Sequence, residues 1–178
     1  EEFPPFNEAF AKDWKEELRG ITQPMVKASL RTAATEHVSK AGWQPLLDGG
    51  LEALDLLVST DGMEENFQFL SQPKRVEAFK DMLTTERAAL MEQPARIIDR
   101  RAYNRIIANV LEKNLESVMI PEQVLLKEFG EGATYRLEDV YEDNYTQIIW
   151  PQRLRRFQQQ VQGEFVGVGI LIRHDDKR

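Results

Sequence analysis

Residues 43–58 read WQPLLDGGLEALDLLV. Leu47, Leu51, Leu54 and Val58 recur at three- and four-residue spacing, which places them on one face of an α-helix. Leu46, Leu56 and Leu57 widen that face, so this helix is expected to be central and deeply buried. Gly49 and Gly50 sit inside the pattern, where each glycine costs roughly 1 kcal/mol relative to alanine. The simplest offset is the close approach of a neighbouring helix. A phosphate-cradling loop is not indicated, because no strand leads into the pair.

Helical periodicity extends outward in both directions. Toward the N-terminus, Asn7 is a plausible cap for a stripe of Phe6, Phe10, Trp14 and Leu18, with Gly20 as the stop. A second helix is expected over 24–41, with Pro24 in its first turn and Gly42 just past its end. His37, among Ala, Thr and Val, reads as a satisfied structural or surface histidine. Toward the C-terminus, Thr60-Asp61-Gly62 is a turn. Pro73 then opens a long helix with Val76, Phe79, Leu83 and Leu90 facing inward. The segment 95–118 is read with Ile98, Ala102, Ile106 and Leu111 inside. Its Arg96, Arg100, Arg101 and Arg105 form a solvated face paired with glutamates. The pattern breaks at Ile120-Pro121. EQVLLKEF is a short amphipathic piece expected to end at Gly130-Glu131-Gly132, and 133–144 show no clear period. One more short helix covers QRLRRFQQQVQ.

The last stretch differs. After Gly163, Val166, Val168, Ile170 and Ile172 alternate with Phe165, Gly167, Gly169 and Leu171, the two-residue period of a strand. Asp175-Asp176 supplies turn chemistry.

Composition narrows the chemistry. The 178 residues carry a formal net charge of −7, a poor match to nucleic acid or an anionic membrane through the overall field. The absence of cysteine excludes disulfides and thiolate metal sites. With two histidines and scattered carboxylates, no metal or other cofactor is expected. No apolar run approaches the ~18 residues of a membrane span, and EEFPPFNEAF lacks the basic and apolar regions of a signal peptide. There is no G-x-S-x-G elbow, Walker loop or H-E-x-x-H. Glu64-Glu65 and Asp175-Asp176 read as solvated pairs, and no catalytic residue is assigned.

The segment DNYTQIIWPQRLRRFQQQVQGEFVGVGILI, residues 143–172, resembles the lead into the PDZ domain of the C-terminal processing, or tail-specific, proteases. In that family an Asp-Pro-Tyr/His-Ser/Thr motif precedes a short helix, a small-residue turn and a strand of the form G-x-F-x-G-I/V-G-I. Asp143, Tyr145 and Thr146 match the first motif, with Asn144 in place of the usual proline. Leu154 and Phe157 fall in the helix. Gly163, Phe165, Gly167, Val168, Gly169 and Ile170 match the strand. LLDGGLEALDLL, residues 46–57, is more loosely similar to the family's upstream helix L-I-x-G-A-I-x-G-M-L, about eighty residues further from the motif than in common members.

The resemblance implies a mainly α protein: a bundle-like helical domain over 1–160, with a helical insertion at about 60–142, followed by a PDZ-like module beginning at 161–178. It implies a periplasmic or secreted serine endopeptidase with a Ser–Lys dyad. In such a dyad, burial lowers the lysine pKa enough for it to act as base. No position in 1–178 matches the dyad motifs. The expectation is that the chain is the front portion of a larger protein, inactive by itself, with the catalytic residues downstream. Phe165, Gly167, Val168, Gly169 and Ile170 would open a module that grips substrate C-termini by strand addition. Gly167 and Gly169 either admit the peptide or relieve crowding against the module's own helix. Homodimerisation through the N-terminal apolar stripe is also expected. The competing reading is a non-enzymatic helical module that binds protein partners. A terminal apolar strand is further expected to promote self-association.

Overall fold

The computed structural model describes residues 15–162, and they are mainly helical. The helices are α1 (Gln23–Glu36), α2 (Gln44–Ser59), α3 (Pro73–Met91), α4 (Arg100–Glu116), α5 (Glu122–Tyr141) and α6 (Pro151–Gln162). Short 3-10 turns occupy Met63–Glu65, Gln68–Ser71 and Ala95–Ile97. No strand occurs among the described residues. Phe6, Phe10 and Trp14, and the whole 163–178 segment, lie outside them.

Local chemistry sets several boundaries. Thr22 caps α1 by accepting the Met25 N–H, and Pro24 sits in the first turn. The helix ends at Glu36, five residues short of the expected 41. His37 leaves helical geometry, Lys40 adopts a left-handed φ of 52°, and the Lys40 N–H closes a turn on the His37 carbonyl. Gly42, also left-handed, donates its N–H back to the Ala34 carbonyl, so the glycine still terminates the helix at a distance. Asp99 caps α4 through the Arg101 N–H, so α4 starts later than the sequence pattern suggested. Its buried side chains are Tyr103, Ile106, Ile107, Val110 and Asn114. Ile98 is buried from the preceding turn, whereas Ala102 and Leu111 are only partly covered.

The break at Ile120-Pro121 is held by one side chain. Buried Asn114 donates to the Ile120 carbonyl (2.9 Å) and accepts the Ile120 N–H (2.8 Å). Its amide thus takes the place of a backbone partner for both polar groups of a buried residue.

The centre of the domain is α2 packed along α5, the most extensive helix pair, with α3 and α1 flanking it. Gly49 and Gly132 make the crossing possible. A Cβ on Gly49 would collide with the Gly132 carbonyl oxygen, and one on Gly132 with Ala53 and the Gly49 carbonyl. A Cβ on Gly50 would lie 2.6 Å from the Phe129 ring. The expected close approach of a helix to Gly49-Gly50 is therefore met, and the partner is α5. The same contact corrects the expected stop at Gly130-Glu131-Gly132. That run is the middle of a 20-residue helix, and 133–141 continue it with Ala133, Thr134 and Leu137 buried. Leu56 is a second correction: it lies outside the core and is 66% exposed. In α3 the inward set of Phe79, Leu83 and Leu90 is as expected, with Val76 partly buried. Trp43, Tyr103 and Phe129 run in a row through the core, the first pair tilted and the second edge-to-face, with ring centres 5.8 and 6.2 Å apart.

Candidate functional site

The strand residues expected to grip a peptide, Phe165, Gly167, Val168, Gly169 and Ile170, lie outside the described residues. The part of the resemblance that is described runs from Asp143 through α6, and it forms a connector strapped across the helical domain.

The strap begins where α5 ends. Glu142 turns left-handed (φ 56°) and donates its N–H to the Glu138 carbonyl. Asp143 then organises the next three residues. Its Oδ1 accepts the N–H of Tyr145 (2.8 Å) and of Thr146 (3.2 Å), an Asx-type turn. Its Oδ2 lies 2.9 Å from His37 Nε2. His37 Nδ1 accepts the Ser39 N–H (3.1 Å), so the ring proton sits on Nε2 and points at Asp143. The His37 side chain is only 4% exposed, and Tyr141 covers it at 5.2 Å between rings. This histidine is structural, as its apolar neighbourhood suggested, and it ties the end of α1 to the connector. Hydrogen bonding by Thr146 and by the Tyr145 N–H, with His37 adding to it, holds the Asp143 carboxyl down to about 2.

Beyond the turn, Ile148 and Trp150 are buried against α5 while Gln147 and Ile149 are exposed. Both buried side chains press on Gly130, where a Cβ would stand 2.9 Å from Ile148 Cδ1 and from Trp150 Cη2. Trp150 Nε1 donates to Glu131 (3.0 Å), which also takes Lys127 (2.8 Å). Helix α6 then starts at Pro151 and is fixed to the preceding chain. Gln152 donates to the Glu16 carbonyl, Arg155 to the Arg19 carbonyl, and Arg156 pairs with Glu17 at 2.6 Å. Three glycines of the sequence, 49, 130 and 132, therefore serve one arrangement: α5 close on α2 and the strap close on α5.

Sequence reasoning missed an ionic cluster beneath this frame. Asp48, on the buried side of α2, pairs with Arg87 of α3 (2.5 Å) and Arg136 of α5 (3.1 Å). Glu52 joins both arginines, and Asp139 joins Arg136. Burial pushes the Asp48 carboxyl up, but Arg87 and Arg136 outweigh it and leave it below its ordinary value. Buried Glu86 was missed in the same way; Asn109 donates to it and Arg105 pairs with it at 3.3 Å. The only available signal was an acid at an inward helical position. Of the four arginines read as a glutamate-paired face, only Arg105 forms such a pair among the described residues, and the other three are exposed. No cluster of three metal-ligating side chains, and no helix long and apolar enough to cross a membrane, occurs among the described residues.

No family model, curated protein or solved structure matches the chain.

Proposed function

We propose that residues 1–160 are the non-catalytic N-terminal domain of a C-terminal processing serine endopeptidase. In this reading the domain sets the position of a PDZ-like module that starts at 161–178 and takes substrate C-termini. The Ser–Lys dyad is encoded downstream, and the enzyme works in a periplasmic or secreted setting, with dimer contacts from the N-terminal apolar stripe. One observation supports this above others: the segment that carries the resemblance is built as a connector. Asp143, the first residue of the matched motif, makes the turn, and Ile148 and Trp150 dock the chain immediately before the helix that leads to the strand-like sequence. A domain that orients a following module needs such a fixed exit. Phe165, Gly167, Val168, Gly169 and Ile170 are the residues this proposal assigns to peptide binding.

The test uses the complete coding sequence. It is expected to continue past Arg178 into PDZ-like sequence and then serine and lysine motifs. Its product should cleave an unstructured, C-terminally tagged protein, and replacing the downstream serine with alanine should abolish cleavage. Residues 1–178 alone should leave casein intact. A reading frame without those motifs would overturn the proposal in favour of a non-enzymatic interaction module. Cleavage by residues 1–178 would overturn the placement of the active site.

A further inference from the structure

The strap carries a second property that holds whether or not the protease reading does. Residues 146–150 alternate in exposure: Thr146 is half-buried, Gln147 exposed, Ile148 buried, Ile149 exposed and Trp150 buried. That two-residue period is the pattern of an extended chain lying on a surface. Among the described residues, the backbone N–H and C=O groups of Gln147, Ile148 and Ile149 have no hydrogen-bond partner. In an extended chain these groups point sideways along the two edges, where they can template another strand. Tyr145 and Thr146 have spent their N–H groups on Asp143.

One edge borders a groove of about 450 Å³ between the strap and the outer surfaces of α2 and α5. Its walls include Leu56 and Tyr135, 66% and 69% exposed, together with the flank of Ile148. Its rim carries three carboxylates, Glu131, Glu138 and Asp143, against one guanidinium, Arg153. Glu131 already meets Lys127, and Asp143 meets His37; Glu138 has no cationic partner among the described residues. The groove on the other side, about 370 Å³, also borders Gln147, Ile148 and Ile149; facing them are Ser29, Thr32 and Glu36 of α1, and His37. Unpaired strap backbone borders both grooves, but of the two only the first adds exposed apolar side chains from α2 and α5 and a rim of three carboxylates.

We infer that the strap is a strand-addition site that takes an extended polypeptide segment bearing alternate apolar side chains and at least one lysine or arginine. The segment's backbone would pair with residues 147–149, its apolar side chains would cover Leu56 and Tyr135, and its cation would face Glu138. The strap's own burial against Gly130 holds the template flat before any partner arrives, which lowers the ordering cost of pairing.

The experiment titrates residues 1–178 with the peptide acetyl-Lys-Val-Thr-Val-Lys-Val-amide, reading binding by calorimetry and backbone protection by hydrogen exchange. Saturable binding is expected, with slowed exchange at the amides of Gln147, Ile148 or Ile149. Replacing both lysines with glutamate, or N-methylating alternate peptide amides, should weaken binding at least tenfold. Leu56→Glu and Glu138→Lys, both at exposed positions and checked for unchanged helix content, should do the same. Absence of saturable binding at millimolar peptide would overturn the inference. So would binding that leaves the 147–149 amides unprotected, or binding indifferent to both substitutions. Protection of those amides that rises with protein concentration alone and resists the peptide would also overturn it, because the occupant would then be a second copy.

Discussion

A methyl group at position 49 has no space to occupy. Alanine there would gain roughly 1 kcal/mol of helix propensity, but its Cβ would meet the Gly132 carbonyl, which belongs to another helix's backbone and cannot swing aside. Gly49→Ala is therefore expected to destabilise the domain by about 1–3 kcal/mol net, the usual cost of overpacking, measured by urea denaturation. A stabilised variant would show that α2 and α5 can separate without loss. Asn114 makes the same point with polar groups. Leucine at 114 would leave the buried N–H and C=O of Ile120 without their partner. The cost should be about 2–4 kcal/mol, since each orphaned group then bears its desolvation penalty uncompensated. The glycine pair was legible in the sequence as something that needed a close neighbour. The role of Asn114 was not, because an asparagine at an inward helical position carries no mark of which backbone it will meet.

At the scale of an element, the strap is the part whose stability depends on one carboxylate. Asp143 has a folded-state pKa of about 2, below its ordinary 3.8. A depressed pKa contributes stability that is present above the unfolded value and lost as pH falls through the folded one. Docking of 143–150 should therefore hold above about pH 4 and weaken between about pH 4 and 2. Trp150, buried in that segment, reports the change as a red shift in emission. Asp48 titrates in the same acid direction, so the comparison needs Asp143→Asn. That variant should start with a looser strap at neutral pH, visible as faster proteolysis within 143–150, and show a smaller shift on acidification. An identical acid profile in the variant would assign the transition to Asp48 and the helical core. The sequence marked Asp143 as the head of a motif, but its bond to His37 spans 106 residues of chain and was visible only in the fold.

For the whole molecule, the ionic cluster and the tail are the two features with consequences beyond their neighbours. Arg136 is largely buried and bridges α5 to Asp48 and Glu52 of α2, whereas Arg105 holds Glu86 from a half-exposed position. Removing Arg136 leaves acids behind in the interface. Arg136→Ala is expected to cost about 3 kcal/mol, against about 1 kcal/mol or less for Arg105→Ala, by chemical denaturation of the full chain. Equal losses would mean that solvent reaches both sites alike. The tail calls for a different measurement. Its alternating apolar sequence is expected to drive self-association, so deleting 163–178 should lower the sedimentation coefficient distribution at high concentration. An unchanged distribution would place association on the helices.

Sequence alone determined the helical class, the order of the helices, the inner faces of α2 (Leu56 apart) and α3, and the need for a close neighbour at Gly49-Gly50. These follow from periodicity and local cost, which are properties of adjacent residues. Tertiary structure decided that α5 runs through Gly130 and Gly132, where local propensity argued for a stop. Packing against α2 on one side and against Ile148 and Trp150 on the other outweighs the roughly 1 kcal/mol per glycine that the isolated helix would lose. It also decided which acids are buried and which backbone edge stays open, because both depend on partners far away in the chain.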